Sequence, residues 1–449
     1  MHELRHPIPN HVFRLLVASA QLRPKRSANL DCSAFYHSNW TRLLTAGLRQ
    51  LPRTGVDVSN STLRLAPYEP MMRAAEALVI GGGVAGAAVA ARLARAGRAV
   101  VLVERKSGAH DKVCGEFVSS EAALYLRDLN IDLERLGAVR ISTVRLYAGN
   151  KAVAARLPFP ALSLSRRVLD EALVSAASTS GATVLRGRAV RSLKSIDGQW
   201  IARLEDGDTL SGAEAFLATG KHDLKGWKRP QGVQADLVAF KMHYRLRPEQ
   251  IAELRSNVEL YVYPGGYAGL ELVEDEIANL CLVIRMHHLA TLDRSWESLI
   301  SALRSDVLPL RQRLAGSDPC WNRPLAISSI PYGYVKRLAD GPWHLGDQAA
   351  VIPSFSGDGI SIALHSARLA AEYYLAGKST SQFQGRLARD IAEQVRRATL
   401  ISRMLVHPSG QAIAIALARI FPDLLRVVAR CTRIPSRRID VGRAAPEFS

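Results

Sequence analysis

The sequence predicts an α/β protein of two lobes, one a parallel sheet flanked by helices and the other an antiparallel sheet. Three observations carry that prediction: a glycine-punctuated strand–helix–strand pattern from Ala77 to Arg105, a second glycine-rich strand-to-helix junction from Trp343 to Ala371, and repeated strand signals between Ala235 and Pro331. Helical and strand periods alternate in the first and last of these regions, which suits a parallel sheet with crossover helices.

The first pattern is a nucleotide-binding βαβ unit. Ala77 to Ile80 is a short apolar strand, and Gly81, Gly83 and Gly86 follow at the G-x-G-x-x-G spacing. Gly81 permits the tight turn, Gly83 leaves the backbone open to a pyrophosphate, and Gly86 lets the next helix lie close on the strand. That helix begins at Val84 and Ala85, whose amides point at the phosphates along with the positive end of the helix dipole. It stops at Gly97, and Val100 to Val103 forms a second buried strand ending in Glu104 and Arg105. The Glu104 carboxylate is placed to accept hydrogen bonds from a ribose 2′-hydroxyl and would repel a 2′-phosphate. Strand, triplet, helix, strand and acid in order make a Rossmann-like domain, and the adenosine it expects is not that of NADP.

The second pattern selects a flavin dinucleotide. A strand ends at Gly346-Asp347, an acid suited to a ribityl or pyrophosphate hydroxyl, and Gly357, Asp358, Gly359 and Ile360 open a helix. A helix N-terminus stabilises the negative charge that a flavin ring acquires on reduction. The expected fold class is therefore α/β, a Rossmann-like FAD-binding domain with a second, antiparallel-sheet substrate domain.

The stretch from about Glu76 to Met404 resembles FAD-dependent oxidoreductases of the geranylgeranyl reductase and aromatic hydroxylase (p-hydroxybenzoate hydroxylase-like) superfamily. Four elements match in order: the dinucleotide motif with Glu104-Arg105, the segment Lys112-Val113-Cys114-Gly115-Glu116, Arg166 with Asp170 on a helix, and Gly346-Asp347 to Gly359. The resemblance implies that Cys114 sits near the flavin as the catalytic side chain, that Arg166 and Gly220 help hold FAD, and that Tyr263 and Tyr267 of the YPGGY hairpin bind substrate. The sequence departs from the pattern twice. Ala268, Gly269 and Leu270 replace the usual tryptophan and proline after the hairpin, and Ala218 to Asp223 replaces the hydroxylases' Asp-Gly motif. The electron donor stays open among NADH, NADPH and ferredoxin.

Composition sets the surrounding bounds. A chain of 449 residues, 48% hydrophobic, can bury a large core and hold two domains. The net charge of +18 comes mostly from arginine, with no basic run interleaved with aromatics, so no nucleic-acid partner is expected. Five cysteines without paired spacing and histidines without ligand spacing argue against disulfides and metal and fit a reducing cytoplasm. No obligate protein partner is indicated.

The expected organisation alternates between lobes. Residues 1–73 read as a disordered extension or a start placed too early. FAD-binding parts are expected at 74–140, 161–230 and 332–400, substrate-domain parts at 141–160 and 231–331, and C-terminal helices with a tail at 401–449. The substrate region carries one expected helix, near Trp296 to Leu308. Ala412 to Cys431 is apolar but broken by charges, and Pro422 divides it into two helices that either close a hydrophobic pocket or make a peripheral membrane contact. Two function classes follow, reduction of a double bond in a hydrophobic prenyl or polyketide chain and hydroxylation of an aromatic ring. A flavin-binding redox sensor without turnover is a third.

Overall fold

A computed structural model describes residues 73–339 and 341–435, so the expected N-terminal extension lies outside the described residues. Two sheets organise the chain. The first has the strand order β6-β2-β1-β9-β8-β7, made of β1 (Arg73–Ile80), β2 (Val100–Glu104), β6 (Thr183–Arg186), β7 (Val190–Ile196), β8 (Gln199–Leu204) and β9 (Thr209–Leu217), with β16 (Trp343–His344) joined to β9. Its centre is parallel, β1 lying between β2 and β9, and β8 returns antiparallel to β9. All five β2 residues are buried, as expected for a strand covered on both faces.

The Val84–Arg95 helix crosses over this sheet and is alanine-rich on its buried side. Small side chains let it lie close, and at Gly86 the approach is tightest: a Cβ there would stand 1.8 Å from the Gly81 carbonyl oxygen. Gly81 has φ +102°, a left-handed backbone conformation that glycine alone adopts at little cost. The Arg166–Thr179 and Gly359–Leu375 helices complete the cover, with Ser165 capping the former through its hydroxyl on the Val168 amide.

The second sheet runs β14-β10-β13-β12-β11-β4-β5-β3, with β15 on β10. It comprises β3 (Phe117–Ser119), β4 (Val139–Ala148), β5 (Lys151–Ser163), β10 (Leu237–Arg245), β11 (Ser256–Tyr263), β12 (Gly266–Leu272), β13 (Ile277–Arg285), β14 (Asp318–Pro319) and β15 (Leu325–Ser328). It is antiparallel except at one seam, where β4 and β11 pair in parallel. The seam arises because β4 arrives on the chain's first visit to this lobe and β11 on its second. Strands β6 to β9 of the other sheet separate the two visits.

Several boundaries differ from expectation. The helix expected near Trp296 to Leu308 ends at Asp306, and a second follows at Leu308–Arg313, because Val307 at φ −121° interrupts the turn next to Pro309. Short helices at Pro248–Leu254 and Met286–Ala290 also occur, each too short to show a period in sequence. The boundary expected at residue 401 falls inside one continuous helix, Thr380–Leu405. The tail forms the helices Pro408–Ile420 and Asp423–Cys431, with Pro422 between them. No single helix among the described residues is long and apolar enough to cross a membrane.

Candidate functional site

The carboxyl ends of β1, β9 and β16 converge, which is where an open parallel sheet binds its ligand. The Ala218 amide donates to the Ile80 carbonyl at 2.9 Å and the Leu345 amide to the Leu217 carbonyl at 3.0 Å. The two glycine signatures therefore meet, and a Cβ on Gly346 would stand 3.2 Å from the Ala85 Cβ. Gly83 is the N-cap of its helix, which leaves the first-turn amides, Val84 and Ala85 among them, without intrahelical acceptors.

Charge around this helix end suits a pyrophosphate. Arg166 grips Asp170 through two hydrogen bonds of 2.7 and 2.8 Å, and Lys112 donates to the same carboxylate at 2.7 Å. Burial would raise the Asp170 pKa, but the two cations outweigh it and hold the group ionised. Two positive charges and one negative charge stand beside Gly83, where a Cβ would lie 3.4 Å from Lys112 Nζ and 3.6 Å from Arg166 Nη2. On the opposite rim Lys221 Nζ lies 3.4 Å from Asp347, and Gln348 Nε2 donates to the Gly220 carbonyl at 2.7 Å.

Glu104 ends β2 buried, accepting from the Gly82 amide at 2.8 Å and the Lys106 amide at 2.9 Å. Each carboxylate oxygen keeps a lone pair for a ribose hydroxyl. A Cβ on Gly115, Gly220 or Gly359 would meet nothing within 4 Å, so these three glycines border open space. A ribose acceptor, cations at a helix N-terminus and glycines facing open space fit FAD.

The cysteine loop is held from below. Glu116 is fully buried with φ +64°; its carboxylate accepts from Lys241 Nζ at 2.5 Å, His243 Nε2–H at 3.0 Å and the Arg166 amide at 2.7 Å. Burial would push its pKa up, yet Lys241 and His243 together hold it below the ordinary value. Asp111, Glu116 and His243 lie close enough to share a cation, and the Lys241 ammonium fills that part, 3.6 Å from Asp111. Asn279 donates to the Gly115 carbonyl at 2.9 Å and the Cys114 carbonyl at 3.3 Å. Cys114 is half-buried, and its sulfur accepts from the Glu116 amide at 3.3 Å.

Beyond Gly115 and Gly357 opens a cavity of about 110 Å³ with an open mouth. Its walls are apolar, with Phe117 and Leu260 from the second sheet, and the Asp423–Cys431 helix covers it through Leu425, Val428 and Ala429. Tyr267 lines it together with Glu271 and Cys281.

The remaining expected residues take varied positions. Tyr263 does not line this cavity; its hydroxyl donates to the Val283 carbonyl at 2.8 Å and braces the hairpin. The Asp358 side chain turns inward, accepting from Gln394 at 3.0 Å and Arg433 at 3.2 Å, so only its backbone faces the helix end; Ile360 is likewise buried. Arg105 is exposed just past β2. Lys112 and Lys221 were absent from the expected ligand set because a lysine in a loop carries no spacing signal.

The family model described as lycopene cyclase protein matches residues 76–241. The menaquinone reductase of Mycolicibacterium smegmatis is 29% identical over 326 residues, which cover 68% of this chain and 78% of that protein. Digeranylgeranylglycerophospholipid reductase 2 of Methanopyrus kandleri is 26% identical over 384 residues, covering 79% and 92%. The structure of halogenase PltM in complex with phloroglucinol and FAD superposes with a TM-score of 0.63 at 13% identity, covering 79% of this chain and 83% of that one. Two cofactor signatures brought together at the end of one parallel sheet, and these likenesses beside them, support an FAD-dependent oxidoreductase superfamily for the chain.

Proposed function

We propose that the protein uses reduced FAD to saturate a double bond in a hydrophobic, prenyl-like chain. The observation that carries this reading is the apolar cavity, which runs from the Cys114–Gly115 loop and Gly357 to the amphipathic Asp423–Cys431 helix. Such a space accepts a flexible hydrocarbon and excludes water from the reacting carbons. Bound FAD supplies the hydride. The chain's own residues bind the cofactor through Glu104, the Gly81–Gly86 loop, Lys112 and Arg166, and hold the cysteine loop in place through Glu116 and Asn279. Relatives named as reductases of menaquinone and of digeranylgeranylglycerophospholipid support the same class of substrate.

The outer surface of the tail extends the proposal. Ile420 and Phe421 are exposed at the junction of the two tail helices, and Arg419, Arg426 and Arg430 are exposed on the same helices. Exposed apolar side chains on helices that also carry exposed cations suit the surface of an anionic membrane, from which a lipid-like substrate is collected.

The decisive measurement is stopped-flow reoxidation of dithionite-reduced enzyme. Anaerobic reoxidation by geranylgeraniol supports the reading, and this probe has no quinone ring to take electrons by another route. Reoxidation that occurs only with oxygen and a phenol transfers the enzyme to the ring-hydroxylating class.

A further inference from the structure

Glu271 is a carboxyl group placed where a hydrocarbon would lie. It sits on β12 opposite Asn279 of β13, and Asn279 is the residue that holds the Cys114 and Gly115 carbonyls. Glu271 is 3% exposed and lines the cavity beside Gly115, Cys281 and Gly357. Among the described residues its carboxyl has one hydrogen-bond partner, the Ser163 hydroxyl, at 3.3 Å from Oε1.

A buried carboxyl with so few partners needs an explanation, because an isolated carboxylate in an apolar wall is expensive. The nearby Glu116 provides the contrast. Its charge is met by Lys241, His243 and a backbone amide, so it is the ionised member of the two. Burial first, and then the Glu116 charge, push the Glu271 pKa well above the ordinary carboxyl value. Two carboxyls whose surroundings drive their proton affinities apart, one beside the expected site of reaction, form the pattern of an acid kept protonated for use.

We infer that Glu271 is the general acid of the reaction, donating its proton to one carbon of the double bond as the other carbon receives hydride. The inference rests on the double-bond reading of the cavity. In the step the π bond breaks and two C–H bonds form, one with hydride from the reduced flavin and one with the Glu271 proton. The alkene is reduced, the flavin is oxidised, and Glu271 is left as a carboxylate that recovers its proton from solvent through the cavity mouth. Cys281 lies on the same wall, but burial pushes its thiol up to about 12, which makes it the poorer donor.

The test uses the FAD-loaded, dithionite-reduced enzyme with geranylgeraniol under anaerobic conditions. Glu271→Gln keeps the shape and removes the acidic proton. It is expected to bind geranylgeraniol as the wild type does, by quenching of flavin fluorescence, and to reoxidise about 100-fold more slowly or worse. The wild-type rate is expected to fall as pH rises through the Glu271 pKa, a limb that Glu271→Gln loses and Glu271→Asp keeps. A Glu271→Gln enzyme with the wild-type rate and the same alkaline limb overturns the inference. If Glu271→Gln does not retain FAD, the wild-type profile decides: an alkaline limb retained in Glu271→Asp upholds the acid, and a flat profile overturns it. Failure of the wild type itself to reoxidise with the alkene is a different result, since it removes the double-bond reading.

Discussion

Arg433, two residues past the last helix, donates to the Asp358 carboxylate at 3.2 Å and so ties the tail to the N-cap of the Gly359–Leu375 helix. The guanidinium also lies over the rings of Phe117 and Phe159, at 5.0 and 4.5 Å. One side chain thus connects the cavity cover, the second sheet and the helix end that borders the flavin site.

This contact is sensitive to pH. Burial raises the Asp358 pKa from 3.8 to about 7. A raised carboxyl pKa favours folding while the group is protonated, so its contribution is complete below 3.8 and lost as pH rises through about 7. Asp358→Asn stays neutral throughout. The melting temperature of the wild type relative to Asp358→Asn should fall across that window, and parallel curves for the two proteins would contradict the assignment.

Glu104→Arg should abolish FAD retention. It replaces the acceptor of the Gly82 and Lys106 amides with a donor and sets a positive charge where a ribose is to bind. A loss of at least about 100-fold in affinity is expected, on the order of 3 kcal/mol. Flavin fluorescence titration of the apoprotein measures it.

Cys114→Ala should keep FAD while slowing reoxidation by about an order of magnitude or more. The sulfur accepts from the Glu116 amide at 3.3 Å and is half-buried, so its loss costs the fold about 1 kcal/mol or less. Melting temperature with FAD bound and single-turnover rate are read together. A lower melting temperature at an unchanged rate would make Cys114 a packing residue.

The double substitution Ile420→Ser with Phe421→Ser should leave FAD content unchanged and reduce binding to vesicles containing anionic lipid. Flotation at low and moderate salt distinguishes the two sources of affinity. Salt weakens the part due to Arg419, Arg426 and Arg430, and the serines remove the apolar part. Equal flotation of wild type and variant would refute the membrane contact.

The nucleotide half of the fold was legible because its constraints are local. Gly86 is fixed by the Gly81 carbonyl five residues before it, and Glu104 lies one strand further on. Strands β10 to β13 announced themselves as successive strand-forming runs. The parallel seam between β4 and β11 was not legible, since it depends on how two visits of the chain are placed side by side. The same holds for the buried charges: Glu116 belongs to a visible motif, but Lys241 and His243 reach it from β10, more than 100 residues away, with |i−j| of 125 and 127. Nothing in the sequence singled out Glu271, and only the cavity gave it a meaning.

The chain changes lobes between β2 and β3, between β5 and β6, between β9 and β10, and again before β16. Neither lobe is a continuous stretch that could be excised, exchanged with a homologue or expressed alone, because any such cut removes strands from both sheets. A descendant of this protein acquiring a new substrate must therefore rework the cavity one side chain at a time, at positions such as Leu260, Glu271 and Val428, and cannot import a ready-made binding module.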